Sequence, residues 1–228
     1  SPEQDQLMKY DSRDVHNKDN NRISSNDSKV IGANPQFNFA PVPGQLSTAL
    51  VAPFDSRITG SLHTGPVALN QRGDTLFVTR NYHRKSHGQD INRLRMNILV
   101  AKHDHWDEVP FPWNSDAYSI GQPAPHPGGQ ALFFTADIPG GYGGKDIYFS
   151  LRTDTGWTKP ENAGPWVNTA GDEMFPYVSP SGKLYFSSDR WPGLGGLDIF
   201  SVTLDDRYHA TEAPVNAGAP LNSARNDF

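Results

Sequence analysis

Apolar and polar residues alternate along two stretches of the chain, and these stretches are close copies of each other. The first is LFFTADIPGGYGGKDIYF at residues 132–149, and the second is LYFSSDRWPGLGGLDIF at residues 184–200. In each copy, two short runs with the two-residue period of a β-strand flank a glycine-rich turn. A weaker copy, LFVTRN, begins at Leu76. Since such a unit cannot bury its apolar face alone, the pattern predicts an all-β fold in which repeated units stack.

The segments that connect these units repeat with a period near 54 residues. That interval separates Asn114 from Asn168 and Asn168 from Asn222, and it also separates Asn162 from Asn216. Four antiparallel strands fit into a period of this length, which is typical of a β-propeller blade. We therefore expect a β-propeller of four-stranded antiparallel blades.

The predicted propeller covers residues 34–228. Its blades are expected to start near residues 39, 63, 122 and 175, with a next blade beginning at residue 226. Residues 1–33 are rich in Asn, Asp and Ser and carry no strand or helix period. Because this composition cannot offset the entropy of ordering the chain, we expect a flexible arm or linker there.

The bulk composition narrows the classes of function. The formal net charge of −5 argues against nucleic acid as the main partner, because proteins that bind it usually present a basic surface. The chain has no cysteine, which excludes disulfides, thiolate metal ligands and a cysteine nucleophile. No apolar run approaches the roughly 20 residues that a membrane helix needs. Because the chain starts at Ser1 instead of Met, we expect a processed or excised segment.

Catalytic and metal-binding patterns are weak. The serines fall in predicted turns and strands without the glycine pattern of a nucleophile elbow, so we predict that the chain is not an enzyme and binds no cofactor or metal. One alternative is a zinc site. His103 and His105 would share one face of a predicted strand, and His83 or His87 could add a third ligand. A solvated strand edge accounts for the same pattern.

The turn that joins the two strands of each unit contains Gly-Gly-X-Asp. Each aspartate is predicted to accept hydrogen bonds from backbone N–H groups of its glycine loop, and the glycines to permit positive φ. Calcium would need several converging oxygens, which one aspartate per loop does not supply. We therefore interpret this motif as a structural turn, formed by Gly143, Gly144, Asp146, Gly195, Gly196 and Asp198.

A basic stretch stands out in this acidic chain. It surrounds a long insertion at residues 81–96, which we interpret as a loop, and loops of this length are often functional. A solvated, mobile loop is the alternative interpretation. The candidate partner contact consists of Arg80, Arg84, Lys85, Arg93 and Arg95.

The repeated motifs resemble a known β-propeller repeat. Gly-Gly-Lys-Asp-Ile-Tyr at 143–148, Gly-Gly-Leu-Asp-Ile-Phe at 195–200 and the run SPSGKLYFSSD at 179–189 resemble the PD40 (WD40-like, TolB-type) repeat. The order of HTGP at 63–66, FVTRN at 77–81, and these motifs is similar to the propeller of Bacteroidota envelope proteins of the OmpA family. That family includes a component of the type IX secretion system.

The resemblance implies a non-enzymatic scaffold in the periplasm, associated with the outer membrane. Its expected partners are proteins of the envelope or of a secretion system, and a domain outside this chain could link it to peptidoglycan. Two alternatives remain open. One is a glycan-binding module that stacks sugars on tryptophans, although packing between blades accounts for them better. The other is the regulatory propeller of a larger hydrolase. The tryptophans are Trp106, Trp113, Trp157, Trp166 and Trp191.

Overall fold

The computed structural model describes residues 64–86, 88–103 and 105–228 of the chain. The predicted arm and the predicted blade near residue 39 lie outside the described residues. Within the described ranges the chain forms β-strands and no helix. This part of the protein accordingly has no helix with the length and apolar character that spanning a membrane would require.

The described strands form three antiparallel sheets. Sheet 1 contains β1 (Thr64–Leu69), β2 (Thr75–Ser86), β3 (Gln89–Ala101) and β4 (Trp106–Pro110). Sheet 2 contains β5 (Ile120–Pro125), β6 (Ala131–Ala136), β7 (Asp146–Thr153), β8 (Gly156–Trp157) and β9 (Glu161–Asn162). Sheet 3 contains β10 (Glu173–Val178), β11 (Lys183–Ser188), β12 (Asp198–Thr203) and β13 (Val215–Asn216). Both β8 and β9 pair with β7, so together they form one interrupted fourth strand.

For the described residues, this arrangement confirms the prediction of an all-β chain with four-stranded antiparallel units. Neighbouring strands in each sheet follow one another along the sequence, and every pairing between them is antiparallel. The alternation of apolar and polar residues therefore identified both the type of secondary structure and the way in which the strands connect.

Two apolar cores hold the sheets together. Sheets 2 and 3 share a core that includes Phe133, Phe149, Phe186 and Phe200, all at most 2% exposed. Sheets 1 and 2 share a second core, in which the rings of Phe111 and Phe134 lie edge to face with centroids 5.5 Å apart. All six residues of β6 are buried, because both faces of this strand are covered. Burying one such phenylalanine contributes about 1.5–3 kcal/mol.

One glutamine in the first strand of sheet 2 connects all three sheets. The N–H group of Gln122 donates to the hydroxyl of Thr79 in sheet 1 at 2.9 Å. Its side-chain oxygen accepts bonds from the hydroxyl of Thr135 and, at 2.9 Å, from the N–H group of Phe175 in sheet 3. Gln122 and Phe175 have positive φ of 53° and 55°, and each lies at an irregularity in strand pairing. These bulges turn the backbone so that it can bond to the neighbouring sheet.

An asparagine from each connecting segment extends the pairing of an inner strand. The side chain of Asn168 accepts a bond from the N–H group of Ile147 and donates to its carbonyl, both at 2.8 Å. A side-chain amide thus replaces one residue of a neighbouring strand, and buried backbone groups stay paired. The same contact recurs in Asn114 with Met96 and in Asn222 with Ile199.

Gly143 and Gly144 lie where the segment leading to sheet 3 leaves no room for a side chain. A Cβ atom at Gly143 would collide with the carbonyl oxygens of Thr169 and Gly171. The N–H group of Gly144 donates to the Gly171 carbonyl at 2.9 Å. Neither glycine is among the residues with positive φ. The predicted reason for these glycines was therefore wrong, since the requirement is steric and comes from the approach of another backbone.

The second copy of the motif repeats this contact. A Cβ atom at Gly195 would collide with the carbonyl oxygens of Ser223 and Arg225. The N–H group of Gly196 donates to the Arg225 carbonyl at 3.0 Å. Neither glycine has positive φ here either. The glycine loops of sheets 2 and 3 are thus each bonded to the segment that leaves the same sheet, which fixes where that segment runs.

A buried carboxyl group lies at the junction of sheets 2 and 3. Glu173 is fully buried and accepts bonds from the N–H and hydroxyl groups of Thr169 and from the hydroxyl of Ser188. Burial raises the pKa of Glu173 above its ordinary value, and the three hydrogen bonds offset only part of that effect. This group should therefore take up a proton more readily in the folded protein than in the unfolded chain.

We expect replacement of Gly143 or Gly195 by alanine to lower the free energy of unfolding by about 1–3 kcal/mol, because the added methyl group forces backbones apart. Urea unfolding of the full chain measures this effect. Gly65→Ala is the matched control, since the three atoms nearest to a Cβ atom there all belong to Thr79 and the closest is 3.4 Å away. Equal stability of Gly143→Ala and Gly65→Ala would contradict the steric explanation.

We expect the stability of the wild type relative to Glu173→Gln to decrease with rising pH. A raised carboxyl pKa gives stability that is fully present below the ordinary value of 4.5 and is lost as the pH passes the folded-state value. The glutamine variant does not titrate at this position. Urea unfolding of both proteins between about pH 4 and about pH 8 gives the difference. A difference that stays constant or grows with pH would show that the Glu173 pKa is not raised.

Candidate functional site

The basic stretch lies at the end of the sheets that also carries the glycine loops. Residues 81–96 were predicted to form a loop, and this prediction was wrong. The pairing of β2 with β3 runs without a break from Thr75–Val100 to Ser86–Gln89. Within the described residues, β1 pairs with β2 as far as Arg80, and β4 pairs with β3 as far as Asn97. Residues 81–95 therefore form a two-stranded extension beyond the described part of the other strands, called here the projecting hairpin.

Most of the predicted cationic residues share one face of this hairpin. Side chains alternate between faces along a strand, so Arg80 and Arg84 of β2 lie on the same side. In the pairing of the two strands, Arg95 lies opposite Arg80 and Arg93 lies opposite Tyr82, so both arginines of β3 are on that side as well. Lys85 lies on the opposite face, where its partner across the strands is Asp90. The structure thus brings four of the five predicted residues to one face and separates the fifth.

Arg80 supports the fold and is a poor candidate for partner contact. Its side chain is 10% exposed and makes two parallel bonds to the carboxylate of Glu108, at 2.8 and 3.0 Å. Asn97 donates to the same carboxylate at 2.6 Å. This paired guanidinium group joins β2 to β4 across β3 and offers little surface to another molecule.

The other three arginines converge on one residue that the sequence did not single out. Arg84 and Arg95 donate to the two carboxylate oxygens of Asp116, at 2.8 and 2.5 Å. The Nε atom of Arg93 donates to the backbone carbonyl of Asp116 at 3.0 Å. Two guanidinium groups thus share a single carboxylate, and a third bonds to the backbone of the same residue. Arg84, Arg93 and Arg95 are called here the arginine cluster.

Aromatic and backbone contacts hold the cluster in place. The guanidinium carbon of Arg95 lies 3.3 Å from the ring centre of Tyr82, a stacked cation–π contact. The N–H group of Leu94 donates to the hydroxyl of Ser119, which ties β3 to the segment leading into β5. The Arg95 Nε atom is buried and has no hydrogen-bond partner within the described part of the chain.

The two repeated aspartates lie inside their turns. Asp146 accepts bonds from the N–H groups of Tyr142 and Gly143, at 2.6 and 3.1 Å. Asp198 accepts bonds from those of Leu194 and Gly195 at 3.0 and 2.9 Å. Both aspartates are buried, so this geometry closes the turn and leaves no carboxylate surface for a ligand.

The histidines of the zinc hypothesis do not share a strand face, because His103 and His105 lie in the turn between β3 and β4. His105 lies 3.0 Å from a carboxylate oxygen of Asp107, and His83 lies 3.8 Å from one of Asp90. His87 is outside the described residues. Within the described ranges, no three histidine or carboxylate side chains are grouped in a way that could hold a metal ion.

Several tryptophans contribute to packing. The indole N–H groups of Trp113 and Trp191 donate to the carbonyls of Trp157 and Val167, each at 3.1 Å. Trp157 also lies edge to face with Phe77 of sheet 1. Trp166 is the most exposed of the described tryptophans, at 45%. These positions favour packing between sheets over a row of sugar-stacking rings.

We expect Asp198→Ala to lower the free energy of unfolding by about 1–3 kcal/mol, because the N–H groups of Leu194 and Gly195 lose their acceptor. Asp206→Ala is the control, since Asp206 is exposed. Thermal and urea unfolding of the two variants measures the difference. If Asp198→Ala melts at the wild-type temperature, the carboxylate does not hold the turn together.

No family model and no curated protein matches the chain. Among solved structures, it is similar to a puromycin-hydrolysing peptidase from Mycobacterium tuberculosis, with 19% sequence identity and a TM-score of 0.44. The match covers 70% of this chain and 24% of that one, so this chain spans about a quarter of the peptidase's length.

This comparison corrects one prediction. The chain was predicted not to be an enzyme, and the similar structure belongs to a peptidase, which contradicts that prediction. We do not retain it. A likeness at this level assigns no peptidase activity and no catalytic residue to the chain.

Proposed function

We propose that the chain is part of a β-propeller that serves as a protein-interaction scaffold, with the projecting hairpin as its main partner contact. We place it in the bacterial periplasm, associated with the outer membrane, as part of a type IX secretion or gliding apparatus. Its partners are envelope or secretion-system proteins. A domain outside this chain would provide any link to peptidoglycan.

The arrangement of the described sheets supports the propeller. Each sheet is antiparallel with strands in chain order. The first strand of one sheet lies against strands of the preceding sheet, since β5 contacts β1, β2 and β3, and β10 contacts β5, β6 and β7. Apolar cores join neighbouring sheets, and repeated asparagine contacts attach each connecting segment to the sheet that it leaves. In a propeller, blades pack on each other in this sequential way.

The projecting hairpin is the observation that carries the scaffold proposal. At the position where sheets 2 and 3 have a tight glycine loop, sheet 1 has a paired extension of residues 81–95. Its cations contrast with a chain of net charge −5. A charged extension whose two strands are already paired provides recognition at a lower entropic cost than an unpaired loop, because less ordering is needed on binding.

The cellular location rests on the motifs at 143–148 and 195–200 and on their order along the chain. These motifs resemble the PD40 repeat of OmpA-family envelope proteins. The acidic net charge agrees with a protein partner better than with nucleic acid.

We expect the scaffold to capture one or two outer-membrane or secretion proteins when the tagged full chain is cross-linked in a bacterial envelope fraction and the products are identified by mass spectrometry. In a truncated variant, Asn-Gly replaces residues 82–93, so that a two-residue turn joins the paired residues Asn81 and Leu94. Capture should fall by at least about tenfold, because most of the contact surface is gone.

The control for this experiment is Arg207→Glu, a charge reversal at an exposed position between β12 and β13, at the opposite end of the sheets. This variant should capture the same proteins as the wild type. If the truncated and wild-type chains capture the same proteins in equal amounts, the hairpin is not the partner contact. If only peptidoglycan or polysaccharide is recovered, the protein-scaffold proposal fails.

A further inference from the structure

We propose that the arginine cluster is a receptor for the carboxylate groups of an acidic peptide segment, and that Asp116 occupies it as an internal stand-in until the segment binds. This inference rests on the proposed function for the existence of a protein partner. It adds the chemistry of that partner and the residue that competes with it. The carboxylate of Asp116 would leave Arg84 and Arg95 when a carboxylate of the partner replaces it.

The geometry of Asp116 is that of an exchangeable ligand. Arg84 donates one hydrogen bond to one carboxylate oxygen of Asp116, and Arg95 donates one to the other oxygen. Neither arginine makes the two parallel bonds that a carboxylate and a guanidinium group form at best. The Nε atom of Arg95 has no partner in the described part of the chain. Arg84, whose side chain is 51% exposed, therefore keeps accessible donor capacity that Asp116 does not use, whereas the unpaired Arg95 Nε atom is buried.

A fixed pair in the same sheet shows the contrast. Arg80 bonds to Glu108 through both Nε and NH2, and its side chain is 10% exposed. The Asp116 side chain is 36% exposed and that of Arg84 is 51% exposed. Water can replace contacts at this exposure, and exposed ion pairs hold weakly. Arg80 is thus locked in place, whereas Asp116 can be displaced.

The charge balance of the cluster favours a second acid. Three guanidinium groups gather at Asp116, where Arg84 and Arg95 bond to the carboxylate and Arg93 bonds to the backbone carbonyl, so positive charge remains in excess. The cations cannot move apart freely, because Arg95 stacks on Tyr82 and β3 is bonded to Ser119. An arriving carboxylate meets a preorganised site and lowers the repulsion among these groups.

A peptide fits this site better than nucleic acid does. The cluster is a small basic area on a chain of net charge −5, whereas a nucleic-acid backbone requires an extended basic surface. The opposite face of the hairpin pairs Lys85 with Asp90, so these charges balance and the basic area does not continue around the hairpin. A short segment with neighbouring Asp or Glu residues can meet the cluster alone.

The test uses the full chain, a fluorescent peptide of alternating Glu and Gly, and a matched Gln-Gly peptide, at about 0.15 M ionic strength so that long-range attraction is screened. We expect the wild type to bind only the Glu-Gly peptide. Asp116→Asn should bind it about five- to tenfold more tightly, because the internal competitor is neutral. Arg84→Gln should weaken binding several-fold.

Asp90→Asn is the matched control, because it removes one negative charge from the same hairpin on the face opposite the cluster. It should change the affinity less than twofold. If Asp116→Asn and Asp90→Asn have the same effect, only general electrostatics acts and the stand-in role is overturned. Weaker binding by a folded Asp116→Asn protein would also overturn it. Should that variant not fold, unchanged binding by Arg84→Gln would overturn the receptor.

Two further outcomes separate this inference from the proposed function. If the Glu-Gly peptide does not bind but envelope proteins are still captured through the hairpin, the scaffold stands and the carboxylate receptor fails. If the peptide binds with the expected response to Asp116→Asn but no envelope protein is captured, the receptor stands and the scaffold fails. Inorganic polyphosphate is tested in the same way. The assignment to acidic peptides is overturned if polyphosphate binds more tightly than the peptide and its affinity also rises in Asp116→Asn.

Discussion

The close approach of two backbones at each glycine loop is the constraint on which the repeated structure depends. A side chain at Gly143 would collide with the segment that leads from sheet 2 to sheet 3. With glycine there, the N–H group of Gly144 bonds to that segment, and the N–H group of Glu173 bonds to the carbonyl of Lys145. Strand β10 therefore begins at a fixed place. The buried contacts of Glu173 can form only because the backbone is already held there.

In sheet 1 the connection between the second and third strands has a different structure, and the candidate site lies in this connection. Sheet 1 has no glycine loop, and its strands continue into the projecting hairpin. The hairpin is still bonded to the segment that leaves the sheet, through Leu94 with Ser119 and Met96 with Asn114. Packing between sheets is thus maintained while a new surface is added. Departures from a repeat that keep its packing are typical places for function.

The parts of the fold that depend on local sequence could be predicted from it. Asp198 bonds to amides three and four residues away, so the turn motif alone indicates the contact. The steric role of Gly143 depends on a carbonyl 28 residues away in Gly171, which no local pattern contains. The hairpin was mistaken for a loop because it projects beyond its neighbouring strands. Such a ribbon does not need an apolar face, and so its sequence has no alternating apolar pattern.

The candidate site shows the same limit on prediction. Composition identifies the cations, but their roles depend on which carboxylate each one meets across the fold. Arg80 meets Glu108 in a shielded place and is committed to the fold. Arg84 meets Asp116 near solvent and shares it with Arg95. Residue types and sequence spacing are alike in the two cases. Burial decides between a structural ion pair and an exchangeable one, because desolvation makes removal of one partner costly and exposure makes it cheap.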